Sequence, residues 1–331
     1  MLAELLATKP WLLADGATGT NLFDMGLMSG DAPELWNVDR PDTIAKLHQL
    51  FVDAGADIIL TNSFGCNGRR LMLHKAQDRT VELNSAAAGI ARAVANKAGR
   101  PVVVAGSVGP TGDLLIPLGV LSEDEAKDVF VEQMIGLKAG GVDVAWIETM
   151  SAMEEMRAAA TAAIEVGLPY TLTASFDTAG RTMMGFTPQA FAEFLMALPL
   201  PPIALGANCG VGSSDTLSSI LQMTDAVPNA VVISKANAGI PRVSGDKVIY
   251  TGSAELMHDY AGLAIDSGAR IIGGCCGTSP THLAAMRQRL DHHVKGHRPT
   301  LEEVVAKTGP LVAPPPSEET LANARENRRR R

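Results

Sequence analysis

Three cysteines carry the strongest chemical signal in this sequence. Cys209 ends the apolar run PIALGANC (202–209), and Cys275 and Cys276 end ARIIGGCC (269–276). If each run is a strand of one barrel, all three thiols fall at the same end of it. Three converging thiolates suit Zn²⁺, which favours tetrahedral sulfur ligation, and a three-ligand site leaves the fourth position open, as catalytic sites do. The glycines of Gly273-Gly274-Cys275-Cys276-Gly277 let the backbone turn both adjacent thiols toward one ion. The opposing reading is that free cysteines are small buried hydrophobes; it suits each cysteine singly better than all three together. Cys66, in NSFGCNGRR, reads as a loop or core thiol. A disulfide between neighbouring cysteines strains the intervening peptide, so Cys275 and Cys276 are not expected to pair.

The elements that would position these thiols follow from apolar patterning. Eight short runs rich in Val, Ile, Leu and Ala lie at 11–16, 56–64, 101–107, 142–149, 170–177, 202–209, 231–237 and 269–276. Most lack polar alternation, as strands buried on both faces do. Helical patterns separate them: from Pro41 to near Gly55, 79–98, from Ser122 to about 140, from Ser151 to about 167, 187–198, 214–226, 253–267 and 279–290. Ser122 with Glu125, and Ser151 with Glu154, predict capping boxes. Eight strand–helix units predict an α/β fold, a single (β/α)8 TIM barrel over 1–290, with a C-terminal extension over 291–331 that is Pro-rich and partly disordered. A doubly wound sheet ranks below it, because the first strand runs into DGATGT rather than GxGxxG. In such a barrel the reacting groups sit at the C-terminal strand ends. Those ends carry Asp15-Gly16, Asn62-Ser63-Phe64, Glu148-Thr149 and Asn237 besides the cysteines. Alone, Asp15 could cap the turn that follows it, and Glu148 could be a satisfied buried carboxylate.

Composition narrows the function. Of 331 residues, 46 % are hydrophobic and 19 % charged, which excludes disorder over most of the chain. The net charge of −8 argues against nucleic acid as a partner, and no apolar run reaches the ~20 residues of a membrane span. The start, MLAELLATKP, has no basic segment ahead of an apolar stretch. The expectation is a cytoplasmic protein with reduced thiols. The closing Arg328–Arg331 run reads as a solvated tail.

The motifs DGATGT, TNSFG, AGSVGPTG, WIETMSAMEEMRAA, GANCG, ANAGIP and GGCCGTSPTH, in this order over about 11–290, resemble the homocysteine S-methyltransferase family. LLADGATGTNLFDMGLMSGDAPELWN is most similar to bacterial betaine–homocysteine S-methyltransferases. The resemblance implies Zn²⁺ on Cys209, Cys275 and Cys276, with Asn237 able to hold the fourth position before substrate arrives. It implies homocysteine contacts from Asp15, Gly16 and Glu148. It further implies methyl transfer from glycine betaine to the zinc-bound thiolate of L-homocysteine, giving methionine and dimethylglycine. Two departures stand out. Thr149 follows the glutamate where vertebrate betaine enzymes have tyrosine, and the loop after the second strand lacks that branch's aromatics. A quaternary ammonium rests best on aromatic faces; with aromatics at 4 % of the chain, Trp36 and Phe64 are the candidates for a donor pocket.

Three alternatives stay open. The donor can be a sulfonium, S-methylmethionine or dimethylsulfoniopropionate, or the barrel can bind an amino acid without catalysis. A folate-supplied, cobalamin-dependent route ranks lower because it draws on further domains. The sequence leaves a homo-oligomer open.

Overall fold

The computed structural model describes residues 1–244 and 247–314. Among them, eight parallel strands form one sheet: β1 Leu12–Leu13, β2 Ile58–Leu60, β3 Val103–Val108, β4 Val144–Met150, β5 Tyr170–Ala174, β6 Ala204–Cys209, β7 Val232–Ala236 and β8 Ala269–Gly274. Hydrogen bonding runs β1-β8-β7-β6-β5-β4-β3-β2, and a parallel bridge from Ala14 to Ile58 sets β1 beside β2 and closes the barrel. The fold is a (β/α)8 TIM barrel. A helix follows every strand, at Pro41–Asp53, Thr80–Lys97, Glu123–Gly140, Met153–Val166, Pro188–Met196, Ser213–Ala226, Ala254–Asp266 and Pro280–His292.

The strands are buried on both faces for two distinct reasons. Leu13, Ile59, Val104, Ala145 and Ile272 point outward into the helix layer. Their alternates Leu12, Ile58, Val103, Val144 and Ile271 fill the barrel interior. The N-terminal helix Leu2–Thr8, which the sequence pattern did not announce, packs Leu2, Leu5 and Leu6 under that interior and closes the bottom. Arg270 holds it there by donating to the carbonyls of Leu6 and Lys9. Asp57 also acts at this end. Its carboxylate accepts from Lys9 at 2.7 Å, Leu13 N at 3.0 Å and Arg287 at 3.2 Å, tying β1, the start of β2 and the last barrel helix together.

The Ser122–Glu125 capping box forms. The one expected at Ser151 does not: the helix begins at Met153 with Ala152 as its N-cap, because β4 runs on to Met150 and leaves Ser151 in the connection. An antiparallel hairpin, Pro241–Ser244 with Lys247–Tyr250, interrupts the path from β7 to its helix. The extension is folded as far as Pro314. Its helix Leu301–Thr308 buries Val304, and Asp215 accepts from the backbone N–H of Val312 and Ala313 at 3.0 and 2.9 Å. The tail expected to be disordered lies outside the described residues beyond Pro314. No described helix is long and apolar enough to cross a membrane.

Candidate metal and substrate site

Alternation along the strands decides what faces the mouth. On β4 the inward series Val144, Trp146 ends in Glu148; on β7 Ile233 is followed two residues on by Lys235. β6 ends in Asn208-Cys209, and Cys275-Cys276 follow β8 directly. These ends surround a cavity of about 440 Å³ whose wall includes Gly16, Glu148, Lys235 and all three cysteines.

The thiols converge. All three Sγ atoms lie within 4.8 Å of one another, and those of Cys209 and Cys276 are 3.6 Å apart. Sulfurs on one tetrahedral zinc would stand about 3.8 Å apart at a Zn–S length of about 2.3 Å. No other group of three or more His, Cys, Asp or Glu side chains clusters in this way among the described residues. The Asn237 Oδ1 is buried without a partner while its Nδ2 donates to Gly210 O at 2.8 Å, so an acceptor oxygen is held ready at the end of β7. Three soft sulfurs and one spare oxygen fit zinc. The protonation pattern agrees. Hydrogen bonds with Cys209 and Cys275 pull the Cys276 thiol down, while those with Cys275 and Cys276, with burial, hold Cys209 well above its usual range. A cation among them would favour the thiolate on all three.

Backbone strain concentrates here. Cys209 and Thr149 both adopt left-handed φ, 62° and 64°, a conformation that costs about 1–3 kcal/mol for such residues. Asn208 clamps both. It accepts from Thr149 N at 2.8 Å and Thr173 Oγ1 at 2.7 Å, and its Nδ2 donates to Thr149 Oγ1 at 2.7 Å and lies 3.7 Å from Cys275 Sγ.

The acids face a shared cation. Asp15, 1 % exposed, accepts from Leu60 N at 2.7 Å and from Lys235 Nζ at 3.1 Å. Burial raises its pKa, and Lys235 opposes that rise. Glu148 accepts from Ser107 Oγ at 2.5 Å, and burial pushes its carboxyl up to about 7. Two buried carboxylates and one lysine leave room for one further positive charge, which a substrate ammonium would supply. Gly16 is required by close approach. A Cβ there would lie 2.5 Å from Thr278 O, and Ala17 N donates to that same oxygen.

The two aromatic candidates are placed differently from each other. Phe64 reaches the cavity wall, but the Arg70 guanidinium lies over its ring, 5.5 Å from the centroid. Trp36 is not on this wall: it is buried in the helix layer with Arg40 across its face at 4.6 Å. No aromatic cage forms from this pair. Cys66 is fully buried beside Leu71 and Leu83, and burial raises its thiol well above the usual range.

Sequence reasoning missed Lys235, Glu34 and Arg70, all on the cavity wall, and Tyr250, whose phenol faces Cys276 from the hairpin. A lysine inside the run VVISKAN, on the inward alternation, was a signal for the first. Nothing in the local pattern marked the others.

Comparison with known proteins agrees with this arrangement. The homocysteine S-methyltransferase family model matches residues 12–290. The methionine synthases of Mycobacterium leprae and Mycobacterium tuberculosis are 30 % and 31 % identical over 85 % and 82 % of this chain. The match spans only 24 % of the length of each. The homocysteine methyltransferase MmuM from Escherichia coli shares the fold: its oxidized form has a TM-score of 0.73 at 23 % identity, covering 87 % of this chain and 99 % of that one. Its metallated form gives 0.72 at 24 % identity over the same shares. With a family match extending from β1 to the last barrel helix, the chain belongs to the homocysteine S-methyltransferase family.

Proposed function

We propose that this protein transfers a methyl group from glycine betaine to the sulfur of L-homocysteine, giving methionine and dimethylglycine. The reading rests on one observation above all: three converging thiols share a cavity with the buried carboxylate of Glu148 and with Lys235, which pairs with Asp15 behind it. Cys209, Cys275 and Cys276 would hold Zn²⁺, with Asn237 as the fourth ligand before substrate binds. When bound, zinc lowers the pKa of the substrate thiol so that sulfur can attack at neutral pH.

The chain's own residues do the rest. Asp15 and Glu148 take the substrate ammonium, and Gly16, on the cavity wall, lets the chain after Asp15 pack closely against Thr278. Lys235 keeps the carboxylate pair from carrying excess negative charge. The closed barrel bottom keeps bulk water from reaching the thiols from below. Sulfur displaces the amine in line: the S–C bond forms, the C–N bond breaks, and its electron pair stays on dimethylglycine. A cationic donor and an anionic sulfur lose charge together, so a dry pocket assists the step. The free thiols suit a reducing, cytoplasmic setting.

A sulfonium donor is the second reading, favoured because Trp36 and Phe64 form no cage: a better leaving group needs less help from ring faces. The test is to incubate zinc-replete protein with homocysteine and, separately, glycine betaine, dimethylsulfoniopropionate and S-methylmethionine, and to measure methionine by mass spectrometry. The highest kcat/KM with betaine supports the first reading. Preference for a sulfonium replaces it with the second. Bound zinc and homocysteine with no methionine from any donor overturns both.

A further inference from the structure

A second cavity, about 360 Å³, opens beside the first between the loops that follow β3, β4 and β5. Two residues line both cavities, Thr149 and Arg70. Thr149 is clamped by Asn208 at the neck. Arg70 is an arginine without an assigned partner.

Its position is built. Arg70 N donates to Asn67 Oδ1 at 3.0 Å, which starts the short helix Gly68–Leu71. The side chain then threads between two glycines. A Cβ at Gly65 would come within 3.1 Å of Arg70 Nε, and one at Gly112 within 3.8 Å of Nη1. The guanidinium ends over Phe64. Among the described residues it makes no hydrogen bond or ion pair, whereas the adjacent Arg69 is held by Asp113 at 2.6 Å. Glu34 and Glu155 stand near enough to feel its charge, but neither bonds it: Glu34 accepts from Gly65 N at 2.8 Å, and Glu155 accepts from Thr111 N at 2.8 Å and Thr111 Oγ1 at 2.6 Å. An arginine fork held between glycines and hydrogen-bonded to no protein acceptor among the described residues can take a planar anion.

We propose that Arg70 binds the carboxylate of the methyl donor and so restricts the donor to onium compounds that also carry a carboxylate. The inference rests on the methyl-transfer reading above. It does not depend on whether the onium atom is nitrogen or sulfur, because glycine betaine, dimethylsulfoniopropionate and S-methylmethionine all have the carboxylate. With that group on Arg70, the onium end turns toward Thr149 and the thiols. Specificity then comes from an ion pair at one end of the donor, where an aromatic cage would have gripped the other.

The experiment pairs donors with and without the carboxylate: glycine betaine against choline, and dimethylsulfoniopropionate against trimethylsulfonium. Zinc-replete protein at saturating homocysteine is assayed for methionine. Wild type should favour the carboxylated member by about 10²-fold in kcat/KM, the size of a lost hydrogen-bonded charge contact. In Arg70→Gln that ratio should fall to near one, mainly through donor KM, and Arg70→Lys should restore part of it. Equal use of both donor types by wild type overturns the inference, and needs no variant. An unchanged ratio in Arg70→Gln also overturns it, as does a rise in homocysteine KM alone, which would put the substrate's own carboxylate on Arg70. In these cases methionine still forms and the methyl-transfer reading survives. Methionine from no donor, with homocysteine bound, removes that reading and this one together.

Discussion

At the scale of single residues, charge and sulfur govern the site. Replacing Cys209, Cys275 or Cys276 by Ala removes one of three thiolate ligands. Each variant should lose bound zinc, read by elemental analysis after gel filtration, together with methionine formation. Full activity in any of them would end the metal assignment. Glu148 gives a pH-dependent prediction. Its carboxyl is pushed up to about 7 by burial, so below that pH it is largely protonated and cannot balance an ammonium. L-Methionine has no thiol to titrate, so its affinity removes the substrate sulfur from the profile. Its Kd should tighten as pH rises from 6 to 8 and stay flat and weak in Glu148→Gln; an identical profile in the variant would assign the titration elsewhere. The stability sign is opposite. The folded chain holds this proton more tightly than the unfolded one, so the group's contribution declines as pH rises from 4.5 toward about 7. Lys235 is the counterweight. Lys235→Met strands Asp15 as a buried charge without its partner, which should cost about 3–5 kcal/mol in urea unfolding.

At the scale of elements, the barrel separates its functions by end. Asp57 sits at the bottom with Lys9, Leu13 N and Arg287, far along the strands from the thiols. Asp57→Ala should therefore lower stability by about 3–5 kcal/mol while the folded fraction keeps its homocysteine affinity, checked by calorimetry. A loss of affinity at equal folded fraction would contradict that separation. The same division explains what could be read ahead of the structure. Strand and helix positions were legible because apolar periodicity is local: all eight runs became strands and all eight helical patterns became helices. The cysteines were legible because strand ends share a location in a barrel. Arg70 and Glu34 were not, because their approach to the cavity depends on where two loops cross, which no spacing encodes. The hairpin after β7 was hidden because it interrupts a strand–helix unit, and the run VVISKAN marks only the strand ahead of it. The Ser151 capping box failed because continuation of β4 outcompeted a local cap. Trp36 followed a correct chemical rule about aromatic faces, yet packing turned it into the helix layer.

At the scale of the whole molecule, acid sensitivity has a marker remote from the site. His48 is fully buried in the helix Pro41–Asp53, and burial depresses its pKa to about 4. Protonating it favours the unfolded chain, so the stability it permits is present above pH 6.5 and is lost as pH falls toward about 4. His48→Gln should flatten this stretch of the stability curve by up to about 1.4 kcal/mol per pH unit; an unchanged slope in thermal melts would place the acid sensitivity elsewhere. The plugged bottom of the barrel has a practical consequence for handling the protein. The first helix lies under the interior, at the end opposite the cysteines, whereas the chain near Val312 and Ala313 is fastened to Asp215, just past Cys209. A fluorophore or surface linkage placed before Leu2 therefore leaves the mouth clear. The same attachment made after Pro314 begins on the cysteine-bearing face, within reach of any donor that approaches it.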